Sequence, residues 1–109
     1  MPDGGHAIVD IPKLADYCLS EEPPRGRHKA RLFRAALGLR QDDAARLRDV
    51  LLEAAGVHEA EYVATDGWGE QWRLNAPIVW QGRRAMVRTL WVVRTGETSP
   101  RFVTAWVWE

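Results

Sequence analysis

The sequence predicts an α+β domain: about three N-terminal helices packed on one face of a four-stranded antiparallel meander sheet. Three observations predict it. Apolar residues recur at helical spacing up to Gly56, they alternate at strand spacing beyond it, and short turn-like connections join the alternating segments. Short connections favour neighbouring antiparallel strands. At 109 residues the chain suits one domain with one modest core, and 46% apolar against 28% charged residues is a globular composition rather than a disordered one.

Met1–Asp10 reads as a flexible leader, which leaves residues 11–109 as a single α+β domain. That leader has neither the basic start nor the apolar stretch of a secretory signal. Pro12 suits the first turn of a short helix reaching about Leu19, with Leu14, Tyr17 and Cys18 turned inward. Ser20 to Pro24 breaks the chain. The second helix starts near Pro24 to Gly26 and stops at Gly38, with Leu32, Phe33, Ala36 and Leu37 as its apolar stripe. The third takes Asp42 or Asp43 as N-cap and Gly56 as terminator, and presents Leu47, Val50, Leu51 and Ala54 on one face.

Strands are predicted over Glu61–Ala64, Gln71–Val79, Arg84–Arg94 and Arg101–Trp108. Asp66-Gly67, Gln81-Gly82 and the loop Thr95 to Pro100 separate them, and Pro77 limits the ladder near the end of the second. Alternate side chains of a strand point to opposite faces. Trp72, Leu74 and Ala76 therefore share one face with Ala85, Val87, Thr89, Trp91 and Val93, and these should pack on the helices. Gln71, Arg73, Asn75, Arg84 and Arg88 cluster on the other. In the last strand both alternating sets are apolar enough to be buried. If Val103, Ala105 and Val107 face the helices, Thr104 and Trp106 join the arginines.

Net charge is zero, yet it is unevenly spread. Arg25, Arg27, Lys29, Arg31, Arg34 and Arg40 follow one another without an acid, and from Gln71 to Arg101 the only acid is Glu97. A neutral total can hide a basic face, and that face sets phosphate affinity. Arginine, which dominates here, suits bidentate phosphate contact. A genome rich in arginine codons gives the same excess with no phosphate partner.

Several chemistries are excluded. The single Cys18 allows no internal disulfide and no multi-cysteine zinc site, and it reads as core. A phosphate-binding Gly-Lys-Ser/Thr loop, a paired-histidine metal motif and a Gly-x-Ser-x-Gly elbow are all missing, so neither metal nor cofactor is expected. No apolar run approaches the roughly 20 residues that span a bilayer, and the cytoplasm is the expected location. Lys29 falls within the apolar sector of the second helix, so its stem can follow the core edge while its amine reaches the sheet rim. Arg25 lies one turn earlier, and His28 points about a quadrant away.

The stretch Pro24-Arg25-Gly26-Arg27-His28-Lys29-Ala30-Arg31-Leu32-Phe33, then Ala36-Leu37-Gly38, resembles an uncharacterised bacterial domain family marked by a Gly-x-x-Lys-Ala-x-x-Phe helix. Trp68-Gly69, Val87-Arg88-Thr89-Leu90-Trp91-Val92-Val93 and Pro100-Arg101-Phe102-Val103-Thr104-Ala105 extend the resemblance through the second half. More distantly, helices followed by a meander ending in a Val-Thr-Ala-aromatic strand resemble the superfamily of barnase, EndoU, colicin D and RelE, many of whose members are metal-independent RNases deployed as toxins. Trp106 stands where many of them carry tyrosine, and the sheet has no histidine.

That resemblance implies attack of a ribose 2′-hydroxyl on the adjacent phosphate. Lys29 or His28 would transfer protons, Arg88 and Arg73 would hold the phosphate, Thr104 would orient it and Trp106 would stack a base. Arg25 and Arg84 complete the candidate RNA-binding set. A cognate antitoxin or immunity protein is the second partner implied. The competing reading is a non-enzymatic protein-binding module (an antitoxin, immunity or adaptor protein), consistent with the zero net charge and six tryptophans.

Overall fold

A computed structural model of the chain describes residues 1–20 and 27–108. Helix α1 opens as Ile11–Lys13 and widens into a π-turn over Leu14–Cys18. Helices α2 (Arg27–Leu37) and α3 (Ala44–Val57) follow, then strands β1 (Glu61–Asp66), β2 (Gly69–Trp80), β3 (Arg83–Arg94) and β4 (Arg101–Val107). The fold is α+β, with three helices and a four-stranded antiparallel meander in the order β1-β2-β3-β4. The expected start of the second helix, near Pro24 to Gly26, lies outside the described residues.

Local chemistry explains where the elements stop. Gly38 ends α2 in the left-handed region at φ 73°, where its N–H bonds the Arg34 carbonyl and the Leu39 N–H bonds that of Phe33. Helix α3 runs one residue past Gly56, to Val57. Asp43 serves the short 3-10 turn Gln41–Asp43 ahead of α3, its carboxylate accepting the Arg40 N–H at 2.9 Å. The β2–β3 hairpin turns on Gln81 and Gly82, both at positive φ, as a two-residue turn of matching twist requires.

The core joins both halves. Phe33 and Leu37 of α2 and Leu47 and Leu51 of α3 form one buried cluster with Leu74, Ala76 and Ile78 of β2 and Val87 and Trp91 of β3. Helix α2 lies against β3 and β4, and α3 reaches β2. Thr89 is a polar group at 0% exposure within this region. Its hydroxyl donates to the Leu74 carbonyl at 2.8 Å and accepts the Trp91 indole N–H at 2.7 Å, so neither group is left unpaired.

Each outer strand carries one extra residue. In β1, Tyr62 faces Trp72 and Ala64 faces Gln71, so Val63 is the bulge. In β4, Thr104 faces Leu90 while Phe102 faces Trp91, so the shift falls at Val103. A bulge changes the phase of alternation. The strict parity expected for the last strand is corrected on this point: Phe102 is buried with Ala105 and Val107, while Val103 joins Thr104 and Trp106 among the more exposed side chains.

The free edge of β4 is covered residue by residue. Ile8 forms a parallel bridge with Arg101, donating to the Pro100 carbonyl and accepting the Phe102 N–H, both at 2.8 Å. Lys13 Nζ donates to the Phe102 carbonyl at 3.1 Å. Cys18 takes the next place, its sulfur hydrogen-bonded by the Ala105 backbone. Residues 1–10 thus contain a 3-10 turn (Gly4–His6) and an edge bridge, and Val9 is buried. Gly4 is pressed so close to α3 that a Cβ there would stand 2.1 Å from the Ala55 carbonyl oxygen.

Candidate nucleic-acid interface

The face of the sheet opposite the buried set is ordered by its register. One row across it runs Glu61, Arg73, Leu90, Thr104, from β1 to β4. The next row is Asn75, Arg88, Trp106. Directly opposed side chains have Cβ atoms about 5 Å apart, so members of a row touch or nearly touch.

Lys29 reaches this face from α2. It sits one residue before the buried Ala30 and one turn before the buried Phe33, which places its stem along the core margin. Its Nζ donates to Thr104 Oγ1 at 2.7 Å and lies 5.6 Å from the centre of the Trp106 ring. Because Thr104 accepts from the amine, its own hydroxyl proton is directed elsewhere. Arg88, directly opposite Trp106, donates through Nε to Asn75 Oδ1 at 3.0 Å and stacks its guanidinium 3.8 Å above the Trp108 ring. Trp106 thus lies under the Lys29 amine and is the cross-strand neighbour of Arg88.

Two other arginines of the sheet are ion-paired. Arg73 is bonded to Glu61 at 2.7 Å and Arg101 to Glu97 at 2.9 Å. The Arg73 hydrogen bond and charge hold the Glu61 carboxyl below the usual 4.5, and Arg101 does the same for Glu97. Among the described residues neither Lys29 nor Arg88 has an ion-paired carboxylate; their partners are a hydroxyl, an amide and two indoles. A cation held by neutral groups keeps its charge available to an incoming anion.

Of the residues singled out in the sequence, the structure brings together Lys29, Thr104, Trp106 and Arg88. Arg73 is one strand away, bound to Glu61. Arg84 is on β3 opposite Val79, four residues from Arg88 and so roughly 13 Å along the strand. His28 is exposed on α2, and Arg25 lies outside the described residues. Asn75 and Trp108 were not singled out as site residues, although Asn75 stood in the same parity set as Arg73. The position of Trp108 follows from the Trp108 N–H bonding the Met86 carbonyl just beyond β4, a pairing no single strand reveals.

Cys18 borders the cluster, with its sulfur 3.9 Å from Thr104 Oγ1. Burial pushes its thiol above the ordinary 9.0, against smaller opposing effects from the Ala105 backbone, Thr104, Lys29 and Lys13. It is therefore a protonated core group, not a thiolate nucleophile. Among the described residues, no three His, Cys, Asp or Glu side chains gather as a metal-ligand set, and no helix is long and apolar enough to cross a membrane.

Architecture and site together define a small helix-plus-meander domain in which Lys29 of α2 and Arg88 of β3 meet the open face of the sheet without an ion-paired carboxylate among the described residues. The whole length, residues 1–109, matches the family described as a domain of unknown function, DUF6883, and the chain belongs to that family. A chain of the contact-dependent growth inhibition toxin–immunity protein complex from Klebsiella pneumoniae 342 has the same fold, with a TM-score of 0.70, 17% identity and 97% of each chain covered. No curated protein matches.

Proposed function

We propose that this is an RNA-cleaving domain of bacterial toxin type that works without a metal, with Lys29, Thr104, Trp106 and Arg88 as its site. The single observation that carries the proposal is that Lys29, from α2, lies over the Trp106 ring while Arg88, from β3, is the cross-strand neighbour of that same residue, each cation held by neutral partners. The likeness in fold to a chain of a toxin–immunity complex supports a toxin-related module, toxin or immunity protein alike.

The chemistry needs charge stabilisation at a phosphate and a proton for the leaving group. Arg88 and the Thr104 hydroxyl bind non-bridging phosphate oxygens. The 2′-oxygen of the ribose attacks phosphorus, releasing its proton to solvent. The bond from phosphorus to the 5′-oxygen breaks, and the Lys29 ammonium supplies the proton that this oxygen takes. The products are a 2′,3′-cyclic phosphate and a free 5′-hydroxyl, and Trp106 stacks one of the flanking bases. Arg73, bound to Glu61, stands by as a second phosphate contact one strand away.

Purified protein incubated with single-stranded RNA in EDTA tests this. Strands ending in cyclic phosphate, formed by the wild type and not by Lys29→Ala, are the expected result. Intact RNA with wild-type protein would remove the enzymatic reading. The second reading, a protein-binding immunity or antitoxin module, is favoured by one observation: Trp68 stands 80% exposed on the β1–β2 turn. Expression in a bacterial host separates the two, since an active RNase arrests growth and a binding module does not.

A further inference from the structure

The two β-bulges serve one feature. Val63 in β1 and Val103 in β4 are the extra residues of opposite outer strands, and both line the same depression of about 340 Å³. Leu90 and Val92 of β3 lie between them, and Trp68 and Gln71 contribute from the first hairpin. Bulges re-aim side chains beside functional sites. Here they turn two valines, each more than 40% exposed, toward the same space.

The rim is fixed in advance. Asp66 accepts the Trp68 N–H at 2.8 Å and the Gly69 N–H at 3.3 Å, and the Thr95 N–H bonds the Trp68 carbonyl at 3.2 Å. A large indole is therefore held by its backbone while its ring stays open to solvent. Gly69, at φ 144°, permits this path, since a Cβ would stand 2.1 Å from the Val93 carbonyl oxygen. Asp66 also accepts the side-chain amide N–H of Gln71. That bond orients the Gln71 amide and leaves its carbonyl oxygen as a free acceptor at the depression.

Leu90 joins this depression to the cation site. It lines the depression, and its cross-strand neighbours are Arg73 on one side and Thr104, the acceptor of Lys29, on the other. Strands lie about 4.8 Å apart, so the apolar space and the amine are separated by no more than the span of one nucleotide. A mostly apolar depression with an exposed indole, an oriented Gln71 amide, and Asp66 and Arg94 among its lining residues, next to an anion site, matches a nucleobase attached to its phosphate.

We propose that this depression binds one unpaired nucleobase of the RNA held at Lys29 and Arg88, so that the substrate is single-stranded RNA. The proposal rests on the RNA-cleaving reading and names its substrate class. Trp68 stacks the base. The Gln71 carbonyl accepts from an exocyclic amine, which adenine, cytosine and guanine carry and uracil lacks.

Short 2′-O-methyl oligonucleotides, which lack the attacking hydroxyl, are the probes: homopolymers of each base, an abasic strand of equal length and a duplex. Wild-type protein is expected to bind the single strands with bases above both the abasic strand and the duplex, with uracil weakest. Trp68→Ala is expected to weaken binding of base-bearing strands roughly tenfold while leaving the abasic strand unchanged, and Trp68→Phe to restore it. Gln71→Met should erase the discrimination against uracil. Equal affinity for abasic and base-bearing strands overturns the base subsite alone, and so does a protein ligand lost in Trp68→Ala while RNA binding stays intact. Binding of no strand at all overturns both the subsite and the RNA reading beneath it.

Discussion

The two faces of β3 belong to one strand and differ in what happens to polar groups. On one face, Val87, Thr89, Trp91 and Val93 are buried, and the Thr89 hydroxyl is bonded both to the Leu74 carbonyl and to the Trp91 indole. On the other, Arg88 bonds the Asn75 amide and stacks on the Trp108 indole, and Leu90 and Val92 stay half-exposed. On the first face the two polar side chains of β3, Thr89 and Trp91, have their hydrogen bonds closed within the chain, as stability requires. The second retains the Arg88 guanidinium, which has no ion-paired carboxylate among the described residues, as ligand binding requires.

The strongest way to break this comparison is to remove the open charges. Lys29→Ala is expected to slow RNA cleavage by roughly 10²- to 10⁴-fold, the range of a proton-transfer group, and Arg88→Ala by about 10²- to 10³-fold. Thermal melts of both variants should stay near wild type, because both side chains are only half-buried. Cleavage that survives either change would remove that residue from the mechanism.

Thr89→Val attacks the opposite face. It keeps the shape but leaves the Trp91 N–H and the Leu74 carbonyl without their shared partner, and should cost about 1–3 kcal/mol, read as a lower urea midpoint. RNA affinity of the fully folded variant should not change. A loss of affinity without loss of stability would show that the two faces are not separate.

Glu61 sharpens the contrast within the open face. Glu61→Gln frees Arg73 and is expected to raise RNA affinity a few-fold at low salt. Acid should act in the same direction. Arg73 depresses the Glu61 titration below 4.5, so the pair stabilises the fold above that value and the stabilisation is lost as the pH falls through the lower folded value. Urea midpoints measured from neutral pH to about pH 3 should fall less steeply for Glu61→Gln than for wild type. Parallel profiles would mean the bridge contributes nothing.

Much of the architecture was legible because the periodicities are strong. The buried positions Phe33 and Leu37, and Val87 and Trp91, follow their helix and strand patterns. Lys29 was legible for the same reason, since a lysine in an apolar sector at a helix start has one way to place its amine. The β4 phase was not. Phe102, Val103, Ala105 and Val107 are all apolar, so nothing in their order reveals an inserted residue; the bulge is set by pairing with Leu90 and Trp91. The pairing of Arg73 with Glu61 was hidden too, because it depends on the register of a hairpin that itself contains the Val63 bulge. Trp68 and its depression depend on both bulges at once, and Arg84 shared the parity of Arg88 but lies too far along the strand.

The salt dependence of RNA binding tests the division of the cations most directly. For single strands the logarithm of the binding constant falls with that of the salt concentration by about 0.7 for each phosphate neutralised. Arg88→Ala should reduce this slope by about that amount, while Arg101→Ala, whose guanidinium is already bound to Glu97, should leave it unchanged. Equal slopes for wild type and Arg88→Ala, or a loss confined to Arg101→Ala, would contradict the assignment of the open β3 face to RNA phosphates.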